Sequence, residues 1–227
     1  MSKFFLRLNR AFLFALIFVS ATARISAEEK DDPIRWEKDI QQFEASDKTN
    51  SPPKNAILFI GSSSIKRWTT LAEDFPKNKV INRGFGGSHL NDSVFYFDRI
   101  VAPYKPKMIV LYAGGNDINA GKTPEQVFSA FKGFVAKTHQ ALPKTRVAYI
   151  SIAPNPARWS QVEQVKAANK MIETFIKQDS KLIFIDVFPE MLGADAKPKP
   201  DIFVKDNLHM NAKGYALWTS IVRPYLK

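Results

Sequence analysis

Ser63 stands in Gly61-Ser62-Ser63-Ser64, directly after the apolar run 56–60, and His209 closes Asp206-Asn207-Leu208-His209 just ahead of the last helical stretch. A serine hydroxyl is a weak nucleophile until an imidazole takes its proton, and the imidazole works best when a carboxylate fixes its tautomer and orientation. Asp206, three residues before His209, is spaced so that one turn of chain can bring carboxylate and imidazole together. The chain has 3 histidines. His139 falls inside a helical stretch and reads as a surface or packing residue. His89 follows a glycine loop and could line a pocket, but its neighbouring carboxylate, Asp92, reads as helix-start charge. The chemistry available is therefore acyl transfer to Ser63, with His209 as base and Asp206 behind it. The same serines could instead cap the helix that begins near Ile65.

The elements that must position these residues show in the apolar pattern. Short runs at 56–60, 80–82, Met108–Tyr112, 147–152 and 182–187 alternate with helical stretches, the clearest being Pro124–Ala141, 161–178 and 211–222. Strands apolar on both faces and alternating with helices imply a parallel sheet covered on both sides. In such a sheet, working residues belong in the loops beyond the carboxyl ends of the strands, near the point where strand order reverses. Gly61-Ser62-Ser63-Ser64 follows the first strand, Gly84-Phe85-Gly86-Gly87-Ser88 the second, Gly114-Gly115-Asn116-Asp117 the third and Pro154-Asn155-Pro156-Ala157-Arg158-Trp159 the fourth. One mouth would collect them all.

Near that mouth Arg83, Phe85, Tyr112, Arg158 and Trp159 are candidates for holding a polar acylated substrate, the aromatics by stacking and the arginines by hydrogen bonds. Packing or surface ion pairing would use the same residue types. Asn116 could stabilise a turn through its own side chain, and Gly84, Gly86 and Gly87 could mark a tight turn or let a backbone N–H approach substrate.

Residues 1–27 carry Lys3, Arg7 and Arg10, then the apolar run 11–19, then small residues around Ala21-Thr22-Ala23 and Ser26-Ala27. This is the pattern of a secretory signal peptide, with cleavage after Ala23 or Ala27, and its apolar part is too short for a stable membrane span. The expected location is outside the cytoplasm, periplasmic or secreted. Residues 28–54 read as a charged leader, an amphipathic helix carrying Ile34, Trp36, Ile40 and Phe43, and a polar connector from Ser46 to Lys54. Residues 55–227 form one domain, without internal repeat, long enough to bury a sizeable core.

The chain has no cysteine, so neither a disulfide nor a lipid on a lipoprotein-type cysteine is available. Its formal charge is +11, and the four basic residues of 1–27, which meet no acid there, leave +7 on the remainder. That excess is scattered rather than laid in a basic stripe with aromatics, which argues against a nucleic-acid partner. Histidines at 89, 139 and 209 and the lack of cysteine give no zinc-like spacing, so no metal and no cofactor is expected.

Four blocks, Ile60-Gly61-Ser62-Ser63-Ser64, Asn82-Arg83-Gly84-Phe85-Gly86-Gly87, Gly114-Gly115-Asn116-Asp117 and Asp206-Asn207-Leu208-His209, occur in the order found in SGNH, or GDSL-type, serine hydrolases. The chain resembles that superfamily from about Ala56 onward. The resemblance implies an α/β, three-layer flavodoxin-like fold with a five-stranded parallel sheet, Ser63 as nucleophile, Asp206 and His209 completing a triad, and an oxyanion hole from Ser63, Gly87 and Asn116. Ser62 replaces the aspartate of the name motif and Ser64 its leucine; that aspartate is not the triad carboxylate, so the implied chemistry stands. A Gly-x-Ser-x-Gly elbow is missing, unlike the ordinary α/β-hydrolase arrangement. No long apolar insertion suggests a lid. The Gly-Ser-Ser-Ser variety is similar to platelet-activating-factor-acetylhydrolase-like and carbohydrate-acetylesterase members. This implies an exported esterase taking short O-acyl, chiefly O-acetyl, groups from a small-molecule or glycan ester. A lysophospholipase or broad acyl-esterase, and a glycan-binding protein without activity, are the alternatives. The oligomeric state is not legible.

Overall fold

Side chains alternate along the central strand, and each set meets its own layer of helices. The computed structural model describes residues 32–226; the leader expected over 1–27 lies outside them. The described chain divides into a short unit ending at Arg35 and a body beginning at Trp36. Within the body, α1 (Glu37–Thr49) leads to β1 (Ile57–Gly61), α2 (Ser63–Lys66), α3 (Leu71–Asp74) and β2 (Val80–Gly84). Next come α4 (Leu90–Phe95), α5 (Phe97–Ile100), β3 (Met108–Tyr112), α6 (Gly115–Asn119), α7 (Pro124–Ala141) and β4 (Arg146–Ile150). The chain ends with α8 (Val162–Ile176), β5 (Leu182–Ile185) and α9 (Ala212–Val222). Among the described residues no helix is long and apolar enough to cross a membrane.

The five strands lie in the order β2-β1-β3-β4-β5, and every pairing is parallel. This is the flavodoxin-like arrangement, with the reversal of strand order falling between β1 and β3. Leu58 and Ile60 of β1 pack with Ile40 of α1, Phe131 and Phe134 of α7 and Ile172 of α8. Ile57 and Phe59 point the other way, into a cluster with Trp68, Phe75 and Trp218 of α9. All of these are buried, and each side chain withdrawn from water contributes roughly 1.5–3 kcal/mol. Both faces of the sheet are therefore fixed by apolar contact.

Helix α7 starts where the sequence places it. Thr123 Oγ1 accepts from the Gln126 N–H at 3.3 Å while Gln126 Oε1 accepts from the Thr123 N–H at 2.8 Å, with Pro124 as first helical residue. Helix α1 runs further than expected: Ser46–Thr49, read as connector, is still helical. A tertiary contact accounts for the extra turn. Asp47 accepts hydrogen bonds from the guanidinium of Arg83 and from Tyr104 Oη, the latter at 2.6 Å. Burial, and then this carboxylate, push the Tyr104 phenol up to about 12.

Arg83 is thus placed differently from its expected position at the mouth. Its side chain is only 12% exposed, it donates to Asp47 and Tyr104, and it stacks over the rings of Phe43 and Tyr104 at 5.0 and 4.9 Å. Phe85 is also no mouth residue. It is fully buried between the rings of Trp36 and Tyr96, at 6.1 and 6.2 Å. Arg83→Ala is expected to destabilise the fold by about 2–3 kcal/mol, because Asp47 is left half-buried without its cation. Urea unfolding would measure that, and an unchanged KM in the same variant would separate anchoring from substrate binding.

Candidate active site

The position of Ser63 is set by the way β1 ends. Gly61 has φ +134°, and a Cβ there would stand 1.9 Å from the carbonyl oxygen of Tyr112 on the neighbouring strand. That close approach lets the Ser62 N–H donate to the same carbonyl at 2.9 Å. Ser62 then occupies the start position of α2, but its side chain makes no capping bond. Ser63, the first residue of α2, turns its hydroxyl toward His209. Capping, the alternative use of these serines, is not what Ser62 and Ser63 do.

Ser63 Oγ lies 3.0 Å from His209 Nε2, and His209 Nδ1 lies 2.7 Å from Asp206 Oδ2. With Nδ1–H donating to the carboxylate, Nε2 is left to accept the Ser63 hydroxyl. Asp206 Oδ1 also accepts the backbone N–H groups of Leu208 and His209, each at 2.9 Å. The His209 N–H foremost, and then its imidazole, hold the Asp206 carboxyl well below the usual carboxylate range. This carboxylate stays charged behind the imidazole, and its partial exposure, 43% of the side chain, also favours the charged form.

Asn116 lines the same cleft as Ser63 and His209. Its Nδ2 donates to the Ser88 carbonyl at 3.2 Å and its Oδ1 accepts from Arg158 at 3.0 Å. Gly87 adjoins it: a Cβ on Gly87 would come 3.6 Å from Asn116 Nδ2. The turn itself depends on a different glycine. Gly86 has φ +45° and sits so close to the Trp36 ring that a Cβ would overlap it. Gly87 is therefore left exposed beside the carboxamide, with ordinary backbone.

The remaining residues expected at the mouth separate into two clefts. Tyr112 and Arg158 line the main one. Burial pushes the Tyr112 phenol up, and its ring meets Trp218 edge-on at 4.8 Å. Trp159 lines a smaller neighbouring cleft with Ile152, Val162, Val165 and Phe188. Behind the glycine loop, Asp117 is buried and accepts from the Leu90 N–H at 3.2 Å. Burial pushes its carboxyl up, against the pull of His89 and Lys122. Asp92 accepts the His89 N–H at 2.8 Å, the helix-start use expected of it.

Some contributors gave no signal in the sequence. Tyr215 of α9 donates to the Ser64 carbonyl at 3.0 Å, pinning α2 from across the sheet's end. The Ala157 N–H donates to the Asn207 carbonyl at 3.1 Å, tying the fourth strand's loop to the loop that carries His209. Both depend on contacts between segments far apart in the chain.

A serine, an imidazole and a carboxylate in sequence, beside an amide donor at the switch point of a parallel sheet, is an arrangement suited to acyl transfer. Residues 57–217 match the model of the GDSL-like lipase/acylhydrolase family. The chain belongs to that family. Membership makes it an ester-hydrolysing enzyme of the SGNH/GDSL superfamily. No curated protein matches the chain, but solved structures do. A platelet activating factor protein of Streptococcus pneumonia aligns with TM-score 0.76 and 21% identity, over 91% of this chain and 99% of the other. A GDSL-like lipase of Bacteroides thetaiotaomicron aligns with TM-score 0.67 and 20% identity, over 82% and 96%. A carbohydrate esterase family 3 protein of Talaromyces cellulolyticus aligns with TM-score 0.61 and 19% identity, over 75% and 95%. At these identities the likeness is one of fold. Residues of three of the four blocks, Ser62–Ser64, Gly115-Asn116 and Leu208-His209, line one cleft, and Gly87 of the remaining block adjoins Asn116.

Proposed function

We propose that this GDSL-like hydrolase is an exported serine esterase that removes short O-acyl groups, O-acetyl foremost, from a carbohydrate. The observation that carries the reading is the chain of contacts from Ser63 Oγ through His209 to Asp206, at 3.0 and 2.7 Å. His209 takes the Ser63 proton as the oxygen attacks the ester carbonyl, and Asp206 stabilises the imidazolium that forms. The backbone N–H groups of Ser63 and Gly87, with the Asn116 carboxamide, receive the negative oxygen of the tetrahedral intermediate. His209 returns the proton to the leaving alcohol, then draws a proton from water as that water attacks the acyl-enzyme. Acid is released and Ser63 recovers its hydrogen.

A short acyl group and a polar alcohol suit the main cleft, where Ser62, Asn155 and Arg158 stand beside Tyr112 and Met191. The carbohydrate assignment is supported by the fold shared with the Talaromyces carbohydrate esterase. Export is supported by the basic, apolar and small-residue order of 1–27. The smaller apolar cleft around Trp159 and Phe188 favours a second reading, a lysophospholipase or broad acyl-esterase, whose longer chain would lie there.

Hydrolysis of p-nitrophenyl esters from acetate to palmitate decides between them. The expected kcat/KM is highest on acetate and at least about 10-fold lower by octanoate, with acetate also released from acetylated xylo-oligosaccharide. A long-chain optimum would move the substrate to lipids. Glycan binding with no release of acid would leave a binding protein.

A further inference from the structure

Arg158 sits at the kink of a 3-10 turn, Pro156–Gln161, where its own φ and ψ are −124° and 25°. Its N–H is held by Asn155 Oδ1 at 3.0 Å, which fixes where the side chain starts. One guanidinium nitrogen, Nη1, then donates both to Asn116 Oδ1 at 3.0 Å and to the Gly115 carbonyl at 3.1 Å. A carboxamide has two ends of nearly equal size, and only the NH₂ end can stabilise an oxyanion. Arginine has donors and no acceptor, so a carboxamide facing it must present oxygen. Flipping Asn116 would set its NH₂ against a cation and turn its oxygen into the cleft. Ser88 occupies one of the two amide hydrogens, which leaves the other for the cleft that Asn116 lines.

We infer that Arg158 is a positioning residue, locking the Asn116 carboxamide with its NH₂ toward the carbonyl oxygen of the bound ester. The inference rests on the esterase reading above and adds to it the device that orients the oxyanion donor. The cation also polarises the amide it holds, which strengthens the N–H on the other side. Because Ala157 of the same turn is bonded to Asn207, the brace that orients the donor is also joined to the loop carrying His209. One turn after β4 therefore sets both the oxyanion side and the base side.

Two measurements test this. In kinetics on p-nitrophenyl acetate, Arg158→Ala is expected to lower kcat by roughly 10–100-fold with KM within about two-fold, whereas Asn116→Ala costs about 100–1000-fold. In the Asn116→Ala background the arginine substitution should cost no more than about two-fold, because nothing remains to orient. Arg158→Lys, keeping the charge and N–H donors without the planar fork, should fall between. Equal losses in both backgrounds, or a rise in KM with kcat intact, would overturn the inference and make Arg158 a packing or substrate-binding residue.

The second measurement does not need turnover. In protein labelled with ¹⁵N-asparagine, the Asn116 side-chain amide pair, assigned by its loss in Asn116→Ala, should shift or broaden in Arg158→Ala. The pair of Asn169, held by Ile152 at 2.8 and 3.0 Å, should stay in place. An unmoved Asn116 pair also overturns the inference. A wild-type protein that hydrolyses no ester would defeat the proposed function while leaving the amide result to judge the contact.

Discussion

Ser63→Ala is expected to lower ester hydrolysis by about 10⁶-fold with the fold unchanged. Ser63 gives its hydroxyl to His209, while its backbone carbonyl continues to accept the Arg67 N–H at 2.9 Å; alanine removes the first and keeps the second. Asp206→Asn should lose less, about 10⁴-fold, because the nucleophile remains but the imidazole is no longer held in the right tautomer. Asp206 is held below the usual carboxylate range, so acidification to about pH 4 leaves it ionised. A fall in rate over that interval would accordingly come from elsewhere in the site. The check is kcat/KM on p-nitrophenyl acetate for each variant, with circular dichroism showing equal secondary structure. Activity surviving in Ser63→Ala would remove Ser63 from the mechanism.

The largest expected loss of stability is at Gly61→Ala. The new Cβ would meet backbone, 1.9 Å from the Tyr112 oxygen and 2.7 Å from its carbon, and φ +134° is strained for any residue with a side chain. Backbone atoms cannot rotate away as a flexible side chain can, so β1 and β3 must part where Gly61 pairs with Tyr112. A loss of about 4 kcal/mol or more follows, equivalent to a fall in Tm on the order of 10 °C. Any folded remainder should also lose rate, since moving Ser63 by about 1 Å can cost about 100-fold. Gly133→Ala in α7 is the contrast. Nothing stands within 4 Å of its would-be Cβ, and alanine there should be neutral or stabilising by up to about 1 kcal/mol. Thermal unfolding of the two variants side by side is the test; equal Tm values would contradict the clash.

Much of this was legible because local and global signals agree. Helix α7 carries its cap pair, its first-turn proline and an apolar stripe within one stretch, so its bounds Pro124–Ala141 are met by the structure. Strands β1, β3 and β4 show because both of their faces are buried, which makes them nearly continuous apolar runs. Ser63 and His209 sit in blocks whose order points to one cleft, and they meet there, with Asp206 behind the imidazole. Side-chain direction was the illegible part. Arg83 and Arg158 both belong to strand-end segments, yet one is drawn back onto α1 by Asp47 and the other reaches Asn116. Phe85 lies in the same glycine loop as Gly87 but turns inward, where a large ring gains most from burial. Ser46–Thr49 looked like a connector because the residues are polar, and what keeps the turn helical is a partner 36 residues further along, Arg83.

Ser63 and His209 are separated by 146 positions, which bears on a chain still being made. The ribosome delivers Ser63 well before His209 and α9. Until α9 packs on the sheet and the loop carrying His209 is in place, Ser63 has no imidazole beside it. Translation products cut short before His209 lack the imidazole that Ser63 meets. The imidazole would reach the serine only with the finished fold.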